Sequence, residues 1–201
     1  NDARRQRQMC IRDRDRTARS RHVGGLAVMN PGQPYLSMAQ NNAWANHTLY
    51  TALTPLTKGA FTTRRPGFFP SLCATVNHIH AVDLYYIDAL YAGQTGLAAF
   101  DRAPVEDHIA LAKAQNTADR QLTDMCRNLT PQILGETRRV ERRTGPTQES
   151  VPALLLHLFQ HQIHHRGQAH VQLQDAGIAP PQLDAFHLQF ERAPSTGQFD
   201  K

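Results

Sequence analysis

The residues with the clearest chemical potential lie in one stretch, LLLHLFQHQIHHRGQAHVQLQ, residues 154–174, which holds His157, His161, His164, His165 and His170. Leu154, Leu155, Leu158, Phe159 and Ile163 recur there at helical spacing, and Gly167 is the first Gly or Pro in the stretch. Residues four apart on a helix are separated by only about 40° at ~3.6 residues per turn. His157, His161 and His165 therefore form one stripe, with His164 beside it. An i, i+4 pair of imidazoles points two nitrogen donors at one place, the way a single helix grips a divalent metal ion. Both His157/His161 and His161/His165 satisfy that spacing, and a third ligand must come from elsewhere. The competing reading is a set of hydrogen-bonded or solvated histidines. It is disfavoured because flanking leucines bury one face and unpartnered buried imidazoles are costly.

A second stretch, SLCATVNHIHAVDLYYIDALYAG, carries His78 and His80. They are about 200° apart around a helix, so only one can face a given side. Val82 and Ala81 flank the same turn as His78, making it the better third ligand. Asp83 lies about 140° from His78 by the same arithmetic, which points to a supporting contact or an ion pair with Arg166 instead.

These histidines need elements to hold them. Apolar periodicity predicts a first helix from Pro34 to about Leu56 with Trp44 in the core and His47 in a packing role. It predicts a second helix after Ser71, placed as an N-cap, and a third from Pro104 to about Leu129, with Glu106 and Asp107 at its positive end. The fourth starts near Glu149 or Ser150, tolerates Pro152 in its first turn and stops by Gly177. Residues 57–70 and 91–103 read as connections, and 131–147 as a small irregular hairpin. Leu183–Phe190 could add one helical turn, and residues 193–201 should be loose. The predicted fold is all-α: a four-helix bundle with long connections, occupying residues 29–192.

Composition narrows the function. The chain has 201 residues and a formal net charge of +5, but residues 1–22 alone contain eight Arg and three Asp. The remainder holds fourteen basic and fourteen acidic residues, so the folded part has no excess with which to neutralise phosphates. Residues 1–28 read as a disordered basic leader. RQRQMCIRDR resembles translated sequencing-adapter read-through, so the leader is read as non-native, with Met29 a natural start. Cys10, Cys73 and Cys126 form no CxxC and no even set, which argues for a reducing, cytoplasmic setting. No run is long and apolar enough to span a membrane. There is no phosphate-binding Gly motif and no GxSxG. The expected partners are a small-molecule substrate, with neither nucleic acid nor membrane.

NNAWAN in the first helix, TVNHIHAVD in the second and HLFQHQIHHRGQ in the last resemble the DinB/YfiT-like family, over about Pro34 to Phe190. The resemblance implies a four-helix bundle binding one divalent metal ion through three histidines, one from the second helix and two from the last. Carried over, the ligands are His78, His161 and His165, and Arg166 and Gln168 fall in the matching RGQ piece. All-nitrogen ligation admits Zn, Ni, Fe or Mn. Some members of that family are thiol S-transferases that join a low-molecular-weight thiol to an electrophile. That activity is the one expected here. The alternatives are a metal-dependent hydrolase and a non-catalytic metal- or small-ligand-binding stress protein. Related proteins are often homodimers, so a homodimer is also expected.

Overall fold

The computed structural model describes residues 30–200, so the leader and Met29 lie outside the described residues. Six helices and one hairpin follow in order: α1 (Gln33–Leu53), α2 (Lys58–Thr62), α3 (Leu72–Leu90), α4 (His108–Arg127), α5 (Pro131–Leu134), β1 (Thr137–Val140), β2 (Thr147–Ser150) and α6 (Val151–Asp175). Short 3-10 turns occupy Gly96–Phe100 and Pro194–Gln198.

The four long helices, α1, α3, α4 and α6, close a ring in which α1 packs on α4, α4 on α3, α3 on α6, and α6 on α1. Contacts fix the directions. Thr75 meets Gln172 while Tyr86 meets His157, so α3 and α6 run antiparallel. His80 meets Gln115 while Tyr91 meets Gln121, so α3 and α4 run parallel. Two parallel neighbours require a chain return along the bundle's length, ~30 Å for a 20-residue helix, which explains the long connection 91–107.

Local chemistry sets the helix ends. Ser71 Oγ accepts from Ala74 N at 3.1 Å and Ser150 Oγ from Ala153 N at 3.3 Å, the expected N-caps of α3 and α6. Gly177, at φ +75°, lets Ile178 N bond back to Leu173 O and stops α6. The third long helix starts later than its Pro104 suggests. Asn77 Oδ1 accepts from Val105 N and Asn77 Nδ2 donates to Val105 O, tying that segment to α3, and Asp107 caps Ile109 N instead. The connection before α3 contains α2, capped by Thr57 and anchored by fully buried Phe61.

A hairpin forms, antiparallel, with Thr137 opposite Ser150 and Val140 opposite Thr147, but later than expected: α5 takes up the start of 131–147 and β2 runs on to Ser150. The tail departs from expectation. Leu183–Phe190 forms no helix; Phe186 packs on Trp44 with ring centroids 5.9 Å apart. Nor is the described part of 193–201 loose: Trp44 Nε1 donates to Ser195 Oγ at 2.9 Å and Thr196 is buried. An indole N–H in the core needs an acceptor, and this turn supplies it.

Candidate metal centre

His78, His161 and His165 each present a ring nitrogen, and the three nitrogens lie within 4.8 Å of one another. His78 comes from the middle of α3, and the other two from successive turns of α6. His78 Nε2 and His161 Nε2 are 3.1 Å apart. Two nitrogens on a tetrahedral ion at ~2.05 Å would be separated by about 3.3 Å, so the pair already sits near the edge of a coordination tetrahedron.

The rings are in the right protonation state for ligation. Burial, with help from neighbouring His165, lowers the His78 imidazole to about 4. Burial and then the surrounding histidines lower His161 to about 3. Burial lowers His165 as well, partly opposed by its hydrogen bond to Gln168. All three are therefore neutral near pH 7 and carry a free lone pair. Accepting at Gln168 Oε1 (2.8 Å) places the His165 proton on Nδ1 and leaves Nε2 as donor to an ion. Gln168 Nε2 in turn donates to His164 Nε2 at 3.0 Å. His161 Nδ1 is buried without a hydrogen-bond partner, so that ring is oriented by packing and by its Nε2 contact with His78. The donor set fits a divalent ion: three neutral imidazoles, convergent, with one held by a second contact.

A loop covers part of this centre. The Phe69 ring stands 4.5 Å from the His78 ring and 5.6 Å from the His165 ring, centroid to centroid. Gln172 fastens that loop, donating from Nε2 to Phe69 O at 2.8 Å while its Oε1 accepts from Thr75 Oγ1 at 2.7 Å. Phe69 and Gln172 were not legible as site residues. The only signal was a Phe68–Phe69 pair, between Gly67 and Pro70, in a stretch otherwise marked as a connection.

The remaining histidines are elsewhere. His157 lies exposed one turn before His161, rings 6.2 Å apart. His164 is exposed on Gln168, and His170 faces a different cavity, beside Leu183 and His187. His47 is exposed against the Phe199 ring. His80 points toward α4, where its Nδ1 bonds Gln115 Oε1 at 3.2 Å.

That contact opens onto a buried polar core behind the histidines. Gln115 Nε2 donates to Asp83 Oδ2 (2.7 Å) and to Asp119 Oδ1 (3.1 Å). Asn46 Nδ2 also donates to Asp119 Oδ1, at 2.9 Å. Gln162 Nε2 donates to Asp83 Oδ2, and Gln162 Oε1 accepts from Arg166 Nη1 at 3.1 Å. Arg166 Nη1 further donates to Asn42 Oδ1 at 2.6 Å and Asn46 Oδ1 at 3.0 Å. The expected Asp83–Arg166 pairing is thus bridged by the Gln162 amide. Burial pushes Asp83 up to about 8 and Asp119 to about 7, against the pull of the amides and of Arg166. Cys73 and Cys126 are buried free thiols raised by burial, Cys126 to about 12, and are packing residues rather than nucleophiles.

Fold and site together define a class, a four-helix bundle that carries a three-histidine group able to hold a metal ion. Comparison with known proteins narrows it further. The chain belongs to the DinB family, whose family model matches residues 29–195. It is 26% identical over 158 residues to Protein DinB of Bacillus subtilis (strain 168), covering 71% of this chain and 86% of that protein. A crystal structure of a DinB-like protein from Bacillus cereus ATCC 10987 superposes with a TM-score of 0.55. It covers 69% of this chain and 90% of that one at 18% identity, a likeness of fold. Among the described residues no helix is long and apolar enough to cross a membrane.

Proposed function

We propose that this protein is a metal-dependent thiol S-transferase whose reacting centre is held by His78, His161 and His165. The observation that carries the proposal is the convergence of three neutral imidazoles on one point. Three protein ligands leave coordination positions for a substrate, the pattern of catalytic rather than structural sites. A divalent ion held there would lower the pKa of a bound thiol or water toward neutrality and so supply a nucleophile.

The chain's own residues do the rest. Gln168 fixes the His165 tautomer, and Phe69 shields one side of the centre from water. Thiol transfer is favoured over hydrolysis because no carboxylate joins the histidine group among the described residues. Asp83, the acidic residue nearest in sequence on α3, is instead committed to Gln115 and Gln162. A free thiol is far more acidic than water to begin with, so on the ion it depends less on a nearby base to become the nucleophile.

The test is metal content by plasma mass spectrometry on the full chain, beside His78→Ala and His161→Ala, followed by turnover of a model electrophile. About one ion per chain, lost in both variants, and turnover requiring both thiol and metal are expected. Turnover with water alone would overturn the transferase reading, and metal that survives both substitutions would overturn the site.

A further inference from the structure

A cavity of about 280 Å³ adjoins the histidine group on the side facing the hairpin. It lies in the groove between α3 and α6 and shares His161 with the metal centre. Its walls include Tyr86, Phe100 and His157, and its rim carries Arg142 and Arg143 from the loop joining β1 to β2. The Tyr86 and His157 rings stand 5.1 Å apart. Phe100 is 42% exposed, an apolar surface that leans on the Tyr85 ring at 5.2 Å between centroids.

The cations are asymmetrically used. Arg142 Nη1 donates to Tyr86 Oη at 3.3 Å and Tyr85 Oη at 3.4 Å, which holds its guanidinium at the mouth. Its ion pair with Glu149 is long, 3.7 Å. Glu141, the only carboxylate lining the cavity among the described residues, is already engaged: Oε2 accepts from Leu97 N at 3.3 Å, and Oε1 pairs with Arg139 at 3.3 Å. Arg143 makes no hydrogen bond or ion pair with any described residue. The rim therefore has a guanidinium fixed by phenols and a second one uncommitted, above an aromatic wall. A guanidinium recognises a planar carboxylate through two parallel N–H bonds, a second one adds charge, and the rings suit a flat carbon skeleton.

We propose that this cavity is a carboxylate-recognition subsite, so that one substrate meeting the histidine centre is a small organic acid. Arg142 and Arg143 hold its carboxylate, and Tyr86 and Phe100 hold its carbon skeleton. What the acid does there rests on the transferase reading above; its binding does not. The tyrosine Tyr85, whose hydroxyl donates to Glu141 O and accepts from Arg142, ties the loop to α3 and keeps Arg142 in place.

The experiment uses the full chain stripped of metal by chelator. Benzoate and 3-phenylpropionate are titrated calorimetrically beside the neutral amides benzamide and 3-phenylpropanamide. The acids should bind about tenfold or more tightly than their amides, since only they engage the guanidinium pair. Arg143→Gln should remove that preference while leaving amide binding unchanged. This variant costs no internal contact, so it should unfold at the same temperature as the parent. Arg142→Gln should weaken the acids similarly and serves as the second variant. Equal binding of acids and amides, no acid binding at millimolar concentration, or full acid binding by Arg143→Gln would each overturn the subsite. Metal content measured on the same preparations before the chelator is added, and again after a divalent ion is returned, separates the two ideas. A chain that prefers acids yet never takes up metal refutes the metal centre alone, and the reverse result refutes the subsite alone.

Discussion

Arg166→Met should destabilise the protein in a way that grows with pH. Arg166 is 4% exposed, and its Nη1 serves the Asn42, Asn46 and Gln162 carbonyls. Its charge also faces two carboxylates, Asp83 at 1% and Asp119 at 5% exposure. Removing one partner of a buried charged group costs ~3–5 kcal/mol. The carboxylates can soften this by taking up protons, because burial already raises them to about 8 and about 7 with the arginine present. Without it they rise further, which sets the loss at pH 7 near the lower end, about 3 kcal/mol. A chain of this size loses ~2–4 °C per kcal/mol, so the melting temperature should fall by roughly 6–12 °C. Raising the pH to 9 removes those protons at a growing cost in the folded variant, whereas the unfolded carboxylates are ionised throughout. The gap to the parent should therefore widen with pH and narrow toward pH 5. Urea unfolding followed by circular dichroism at three pH values measures it. A loss below ~1 kcal/mol at pH 7, or a gap that does not change with pH, would refute the view that Arg166 neutralises this core.

Gln168→Ala should lower metal affinity by about 10–100-fold, because it frees the His165 ring from the contact at 2.8 Å that fixes its tautomer. Competition against a chelator reads this, and an unchanged dissociation constant would show that packing alone orients the ring. Asp119→Asn should flatten part of the parent's pH dependence. Asp119 has its folded pKa raised above the unfolded value, so its contribution is fullest below about pH 4 and is lost as pH rises through about 7. Relative to the variant, the parent should therefore lose stability with rising pH, at no more than roughly 1.4 kcal/mol per pH unit for one proton. Parallel stability curves for the two proteins between pH 4 and 8 would contradict this.

Apolar periodicity was enough to set the helical architecture, and spacing narrowed the histidines of α6 to two candidate pairs. Apolar periodicity marks α1, α3, α4 and α6, and Ser71, Ser150 and Gly177 mark ends that local hydrogen bonding alone enforces. The spacing of His161 and His165 puts both on one side of α6 whatever that helix packs against. The choice of this pair over His157/His161, and of His78 over His80, is a matter of which face meets which neighbour. The family resemblance indicated it, and the structure shows His78 turned to α6 and His80 to α4. Helix starts such as that of α4 were displaced because Asn77 captures Val105, a contact across 28 positions that no local pattern encodes. Likewise only the tertiary fold brings Phe69 over the histidines, seats Ser195 under Trp44 and joins Asp83, Asp119, Gln115, Gln162 and Arg166 into one core. Local periodicity and caps depend on a few adjacent residues, whereas these sites join side chains that are far apart in sequence and adjacent only once the bundle has closed.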